Sequence, residues 1–289
     1  MGRELAITGH TELIGLVATP IRHSMSPQMH NAAFDALGLD YVYLVFEVGK
    51  EELKDTVAGL RAMKVRGWNV SMPNKGDIGQ YLDHVSLVSE LCGAINTVVN
   101  DNGVLTGTST DGTGFVRALS ENGLDIKGNK LVLLGAGGAA AAIMAQCAID
   151  GAKEIVVFNK KDSFYAKAQE RLKLIEEKTG VEMHLYDIDD KALLKQEIDS
   201  ADVLANATSV GMVPHQDSCL VEESDLHEGL YVFDCVYNPK DTLLLQRAKK
   251  VGAIPVSGVY MLLYQGAESF KLWTGKEMPI EVARKAIGL

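Results

Sequence analysis

The tightest constraint on this chain lies near its middle, in Leu131-Val132-Leu133-Leu134-Gly135-Ala136-Gly137-Gly138-Ala139-Ala140. An unbroken apolar run of this kind suits a strand buried on both faces, as in a parallel sheet. The turn after it is spaced G-x-G-x-x-A, from Gly135 through Gly137 to Ala140. Ala140-Ala141-Ala142-Ile143-Met144-Ala145 then continues in strong helix formers. Strand, glycine turn and helix in that order form the dinucleotide-binding fingerprint. Backbone without Cβ atoms can approach a pyrophosphate, and the helix start offers that anion free N–H groups and a positive dipole end. A plain tight turn is the competing reading of the glycines alone. The fingerprint begins only near residue 131, so something of domain size precedes it.

With 289 residues, the chain has room for two domains and a sizeable core. A net charge of −10 argues against a nucleic-acid footprint. It leaves room for an anionic substrate, because a local Lys or Arg can oppose the global sign. Cys92, Cys147, Cys219 and Cys235 form no C-x-x-C pair, so no metal site is expected and the scattered thiols fit a reducing cytoplasm. Met1-Gly2-Arg3-Glu4-Leu5 carries an acid early and does not read as a signal peptide. No apolar run reaches the length of about 18 residues that a membrane span requires.

Before the fingerprint, Leu13 to Ala18 reads as a strand. A helix follows, with Ser26 as N-cap, Pro27 at its first position and Gly38 at its end. Tyr41 to Phe46 is a second strand, Glu51 to Lys64 a helix, and Gly67 to Pro73 a short strand running into a loop. This β-α-β-α-β order predicts a parallel α/β unit. Asn100-Asp101-Asn102-Gly103 reads as a hairpin turn. Thr108 to Gly114 reads as a polar, glycine-rich crossing into a helix near Phe115, with Asp111 as an ordinary N-cap. Beyond the fingerprint, strands are expected at 154–158, 181–186, 201–208, 231–237 and 253–256, with a final helix over 258–273. The fold class is therefore α/β, a mainly parallel sheet followed by a Rossmann-type domain.

Several polar residues fall at strand ends, where open parallel sheets bind ligands. Ser24 and Ser26 follow the first strand, and hydroxyls there suit a carboxylate or polyol. Lys75 follows the third strand, close to Asn69 and Ser71. A lone lysine is usually a solvated charge; its neighbours single this one out. Gln265, among apolar residues of the last helix, reads equally as a core residue or as one turned into a cleft.

The ordered set Ser24-Met25-Ser26-Pro27, Asn69-Val70-Ser71-Met72-Pro73-Asn74-Lys75, Gly93-Ala94-Ile95-Asn96-Thr97, Thr110-Asp111-Gly112, Gly135-Ala136-Gly137-Gly138-Ala139, Asp234-Cys235-Val236-Tyr237-Asn238-Pro239 and Gln265-Gly266-Ala267-Glu268 resembles the shikimate dehydrogenase family, and within it the quinate/shikimate branch. The resemblance covers nearly the whole chain. It implies a discontinuous substrate domain, 1–111 with 258–289, and a Rossmann NAD(P) domain, 112–257, with a cleft between them. It implies Ser24 and Ser26 for the substrate carboxylate, Ser71, Asn96 and Gln265 for ring hydroxyls, and Tyr237 as a further substrate contact. Lys75 and Asp111 resemble the catalytic pair. The cofactor residues it implies are Gly135, Ala136, Gly137, Gly138, Ala139, Asn159, Lys160, Lys161, Asp162, Ser209, Cys235, Val236, Tyr237, Asn238 and Gly258. The chemistry agrees with the pair: hydride loss from a secondary alcohol releases a hydroxyl proton, which an amine can accept and its ammonium can return.

Three positions depart from the common family pattern. Ser71 stands where Thr is usual, leaving room for the extra ring hydroxyl of quinate. Asn74 stands where an aromatic residue or His is common, and Ser109 where Asn commonly precedes Thr-Asp-Gly. In Asn159-Lys160-Lys161-Asp162 both signs of charge occur. An acid suits the ribose 2′-OH of NAD and bases suit the 2′-phosphate of NADP. The expected cofactor is NAD, with NADP as the second. The expected partners are shikimate and quinate, in the cytoplasm, with no nucleic acid and no membrane; a homodimer is compatible with the chain, whose assembly the sequence does not set. The alternatives are a strict NADP-linked shikimate dehydrogenase, a dinucleotide-binding sensor without catalysis, and an enzyme like methylenetetrahydrofolate dehydrogenase. The paired serines and Gln265-Gly266-Ala267-Glu268 fit the last less well.

Overall fold

The structure is a computed structural model that describes residues 7–163 and 165–289. The N-terminal stretch Met1 to Leu5, read above for targeting, lies outside the described residues. The chain divides into two compact units: one runs to Thr110 and resumes at Gln265–Leu289, and the other is Asp111–Tyr264. The division differs from the expected 111/112 and 257/258 borders. Residues 258–264 group with the second unit, inside a continuous helix.

In the first unit, β1 (Glu12–Ala18), β2 (Tyr41–Glu47) and β3 (Gly67–Val70) alternate with α1 (Ser26–Leu37) and α2 (Leu53–Ala62). Both β2 and β3 pair parallel to β1, as the β-α-β-α-β pattern predicts. Then come β4 (His84–Val85), α3 (Leu87–Cys92), and β5 (Thr97–Asp101) and β6 (Val104–Thr108), the hairpin turning at Asn102-Gly103. The sheet order is β2-β1-β3-β5-β6-β4, and β5 runs antiparallel to both neighbours. Trp68, Val70, Val98 and Leu105 are fully or nearly fully buried and pack with Leu53, Val57 and Leu60 of α2. The third strand stops at Val70, short of the expected Pro73. The Asn74 N–H instead bonds the Ser71 carbonyl (2.9 Å) and starts a turn.

The second unit opens with α4 (Asp111–Ser120) and β7 (Lys130–Leu134), which is wholly buried. After β7 come α5 (Gly138–Ile149), β8 (Glu154–Asn159), α6 (Tyr165–Thr179), β9 (Glu182–Asp187), α7 (Lys191–Asp199), β10 (Val203–Asn206), β11 (Tyr231–Asp234), α8 (Leu243–Lys250) and β12 (Ile254–Ser257). The helix α9 (Gly258–Thr274) carries the chain back to the first unit, which α10 (Ile280–Ala286) completes. All pairings of this sheet are parallel, in the order β12-β11-β10-β7-β8-β9. That is the doubly wound order of dinucleotide-binding sheets, with its reversal between β7 and β10. The helix α5 is apolar apart from Gln146, and its residues Ala140 to Ala145, Cys147 and Ala148 are buried, as a helix with so little polar face must be.

Two helix starts differ from the sequence reading. The N-cap of α1 is Met25, without a side-chain bond, and Ser26 is the first helical residue. The Ser24 hydroxyl instead accepts the Ser26 N–H at 3.2 Å. Asp111 likewise opens α4 from inside rather than capping it, and the helix includes Gly112-Thr113-Gly114. These glycines read as loop, yet a Cβ at Gly112 would collide with the Ala142 carbonyl and the Gln146 side chain. The residue is selected by the close approach of α4 to α5, which overrides its low helix propensity. The fourth and fifth strands of this unit also end early. Asn206 Oδ1 accepts from Thr208 N–H, and Asp234 Oδ1 accepts from Val236 N–H at 3.0 Å, so side chains capture the backbone that a longer strand would need.

Candidate functional site

In the first unit the strand order reverses between β1 and β3, and the polar candidates gather at the carboxyl ends of those two strands. Ser24 and Ser26, both half-buried, follow β1, while Ser71 and Lys75 follow β3. Lys75 sits in a 3-10 turn, Asn74–Gly76. Two contacts fix that turn: the buried Asn74 amide donates to the Val48 carbonyl at 2.8 Å, and the Lys75 carbonyl accepts the Ile95 N–H at 2.9 Å. Asn74 is thus the anchor that orients the lysine backbone, which gives its departure from the family pattern a structural role.

Because β5 is antiparallel to β3, its beginning lies at the same edge, and Asn96 just precedes it. Asn96 is buried. Its Oδ1 accepts from Thr110 N–H (2.8 Å), and its Nδ2 donates to Thr110 Oγ1 (3.0 Å) and Gln265 Oε1 (3.2 Å). Gln265 is half-buried, and its side-chain oxygen accepts from Asn96 Nδ2.

Behind these groups runs a buried chain of hydrogen bonds that the sequence reading missed. Tyr43 Oη donates to Asn69 Oδ1 at 2.7 Å and also takes a hydrogen bond from Ser26. Asn69 Nδ2 donates to the Asn96 carbonyl, Thr97 Oγ1 and Ser269 Oγ. Burial pushes the Tyr43 phenol up, so it stays protonated and available as a donor. The available signals were a tyrosine at an inward position of β2 and a serine one helical turn past Gln265.

His30 is fully buried beneath this network, stacked on Tyr43 with ring centroids 4.5 Å apart, and neither ring nitrogen has a partner. Desolvation lowers its pKa to about 3, so it is a neutral core residue. Ser109 is buried with an unpartnered hydroxyl; nothing in the structure explains it.

In the second unit every expected cofactor residue follows the carboxyl end of a strand. Gly135, Ala136, Gly137, Gly138 and Ala139 follow β7, and Lys160, Lys161 and Asp162 follow Asn159, the last residue of β8. Ser209 follows β10, Cys235, Val236, Tyr237 and Asn238 follow β11, and Gly258 follows β12. Parallel pairing brings all five ends to one edge.

This edge fits a dinucleotide. Gly135 has φ +99°, and a Cβ there would stand 2.7 Å from Thr208 Cγ2. Gly137 is the N-cap of α5 with no side-chain cap, and Cβ positions at Gly137 and Gly138 face open space. The first turn of a 12-residue helix is therefore open to an anion.

Asp234 closes the edge from within. It accepts from Asn206 Nδ2 (2.9 Å), Val236 N–H and Thr242 Oγ1 (2.6 Å), and burial outweighs these bonds to push its pKa up to about 6. Burial also raises the Cys235 thiol, with the Asp234 and Asp111 charges adding to it. Tyr237 and Ser209 are exposed and Asp111 is half-buried.

The model of the shikimate dehydrogenase substrate binding domain matches residues 16–98, and that of the shikimate 5′-dehydrogenase C-terminal domain matches 258–287. The chain is 55% identical to "Shikimate dehydrogenase (NADP(+))" of Listeria monocytogenes over 97% of both chains. It is 48% identical to "Quinate/shikimate dehydrogenase" of Escherichia coli over 98% of both. A crystal structure of shikimate 5-dehydrogenase from Listeria monocytogenes, in complex with shikimate and NAD, matches with a TM-score of 0.94 over 97% of both chains. Sheet order, glycine turn and relatives together define the class, an NAD(P)-dependent oxidoreductase. Similarity at this level over nearly the whole length also fixes the family. The chain belongs to the shikimate dehydrogenase family.

Proposed function

We propose that this protein transfers hydride between NAD(P) and the ring hydroxyl of shikimate and of quinate, interconverting them with their 3-dehydro acids. The observation that carries this is the 55% identity, over 97% of both chains, to a relative crystallised with shikimate and NAD. In this reading Ser24 and Ser26 take the substrate carboxylate, and Ser71, Asn96 and Gln265 take ring hydroxyls, with Tyr237 a further contact. Hydroxyls and amides suit these partners, because a site that hydrogen-bonds substrate hydroxyls rejects analogues lacking them.

The cofactor, when bound, supplies the hydride acceptor. The chain's own residues handle the proton. In oxidation the substrate O–H proton passes to the Lys75 amine, and in reduction the Lys75 ammonium returns it to the forming alkoxide. Asp111 is the carboxylate that works with this amine, orienting it and binding substrate. The fixed turn around Lys75 supports its role, since proton transfer requires a positioned donor.

NAD is proposed as the favoured cofactor and NADP as the second, on the strength of Asp162 beside Lys160 and Lys161. The competing reading is a strict NADP-linked enzyme, which the name of the Listeria relative favours. Among the described residues no helix is long and apolar enough to cross a membrane. We place the enzyme in the cytoplasm with small molecules as its partners; light scattering at working concentration decides whether two copies pair.

Initial rates of nicotinamide reduction, with shikimate and quinate each against NAD and NADP, test the proposal. Activity on both acids, faster with NAD, is the expected result. Activity on shikimate with NADP alone would make the protein the strict enzyme. No rate in any pairing, with cofactor still bound, would leave a dinucleotide sensor.

A further inference from the structure

The edge strand of the second sheet beside β8, β9, is the one strand whose carboxyl end holds none of the expected cofactor residues. It ends in Asp187. In the β8–β9 register Asp187 stands directly opposite Asn159, the last residue of β8. Neighbouring strands lie about 4.8 Å apart. The carboxylate is therefore one strand spacing from the segment that chooses between a ribose hydroxyl and a phosphate.

Two contacts define its setting. Asp187 Oδ1 accepts the Asp189 N–H at 3.1 Å, so the local turn holds the side chain. Asp187 Oδ2 lies 3.7 Å from Lys161 Nζ. Lys161 is largely exposed, so this pair contributes about 0–1 kcal/mol at most to folding. Its consequence lies in the field at the edge of the sheet. Lys160 and Lys161 look in sequence like a phosphate-binding pair. In the structure Asp187 engages one of them, and with Asp162 the four charges sum to zero. A 2′-phosphate needs an excess of cation, whereas a 2′-hydroxyl needs only an acceptor.

We infer that Asp187 is a specificity-determining residue of the cofactor site, disfavouring a 2′-phosphate by engaging Lys161 and by adding its own charge beside the adenine ribose. The inference rests on the proposed NAD(P) site and names the residue that sets its preference.

Calorimetric titration with ADP-ribose and 2′-phospho-ADP-ribose tests it on the full-length protein without turnover. These ligands differ only in the 2′-phosphate. In Asp187→Asn, affinity for the phosphorylated ligand should rise about tenfold and affinity for ADP-ribose should stay within about twofold, as removal of one charge near a dianion requires. The gain should shrink as salt is raised, and adding Lys161→Gln to the same chain should erase most of it. The kcat/KM ratio for NADP over NAD should move by a similar factor. Asp187→Ser keeps a short acceptor for Asp189 N–H and carries the same expectation if the Asn variant does not fold. Both ligands binding with an unchanged ratio in these variants would overturn the role of Asp187. Neither ligand binding the unaltered protein would instead overturn the cofactor-site reading.

Discussion

The two sheets of this protein are built by different rules. The second is wholly parallel, so every strand end at one edge is a carboxyl end. Backbone does most of the work there, through the Gly135 turn and the open first turn of α5. The first sheet is parallel across β2, β1 and β3 and again between β6 and the short β4, with the antiparallel β5–β6 hairpin set between. That hairpin brings the start of β5 to the carboxyl edge of β3 and adds Asn96 and Thr110 to residues that follow β1 and β3. A parallel sheet offers repeated backbone ends, which suit a pyrophosphate. A mixed sheet can gather side chains from sequence-distant segments, which suits a ligand with many hydroxyls.

The sheets also answer acid in opposite directions, and this is the largest effect by which the comparison can be broken. His30, in the first unit, has its pKa lowered from 6.5 to about 3 by burial. As pH falls below 6.5 the unfolded chain takes up a proton that the folded chain refuses, so stability is lost down to about pH 3. Asp234, in the second unit, has its pKa raised from 3.8 to about 6. As pH rises through 3.8 the unfolded chain ionises first, so stability is lost until about pH 6. The two contributions are on the order of 5 and 3 kcal/mol respectively. Hydrogen exchange at pH 4.5 against pH 7 should show amides around His30 losing protection and those around Asp234 gaining it. His30→Leu and Asp234→Asn should each flatten the slope of its own unit. Parallel responses in both units would contradict the contrast.

A smaller effect follows from the backbone character of the second sheet. Gly135→Val forces a branched side chain into φ +99° against Thr208. It should destabilise the second unit by about 2–3 kcal/mol, measurable by denaturant unfolding, and abolish tight ADP-ribose binding. Exchange in β1 to β3 should be unaltered.

The smallest expected effect lies in the side-chain network of the first sheet. Tyr43→Phe leaves Asn69 Oδ1 without its 2.7 Å donor and should cost about 1–3 kcal/mol. It should raise KM for shikimate more than it lowers kcat, while cofactor affinity stays the same. An equal fall in cofactor affinity would show that the network is not confined to substrate.

What the sequence made legible follows the same division. The buried run of β7, the glycine spacing and the alternation of strands and helices are local patterns, and they located the second sheet to within a few residues. The ends of β10 and β11 were missed because Asn206 and Asp234 side chains capture the backbone. The start of α4 was missed because Gly112 is chosen by a neighbouring helix, which local propensity does not record. In the first unit, Ser24, Ser71 and Lys75 were legible as strand-end residues. The Tyr43–Asn69–Ser269 network was not, because its members come from β2, β3 and α9. Asp187 was hidden for a related reason: its pairing with Lys161 exists only once β9 lies beside β8.

The central claim is that Lys75 carries the proton of the reaction. The most direct test is steady-state oxidation of shikimate by Lys75→Ala under saturating NAD. The account predicts a kcat lower by about 10²–10⁴, with KM for shikimate changed by less than about tenfold. An unchanged kcat would contradict it.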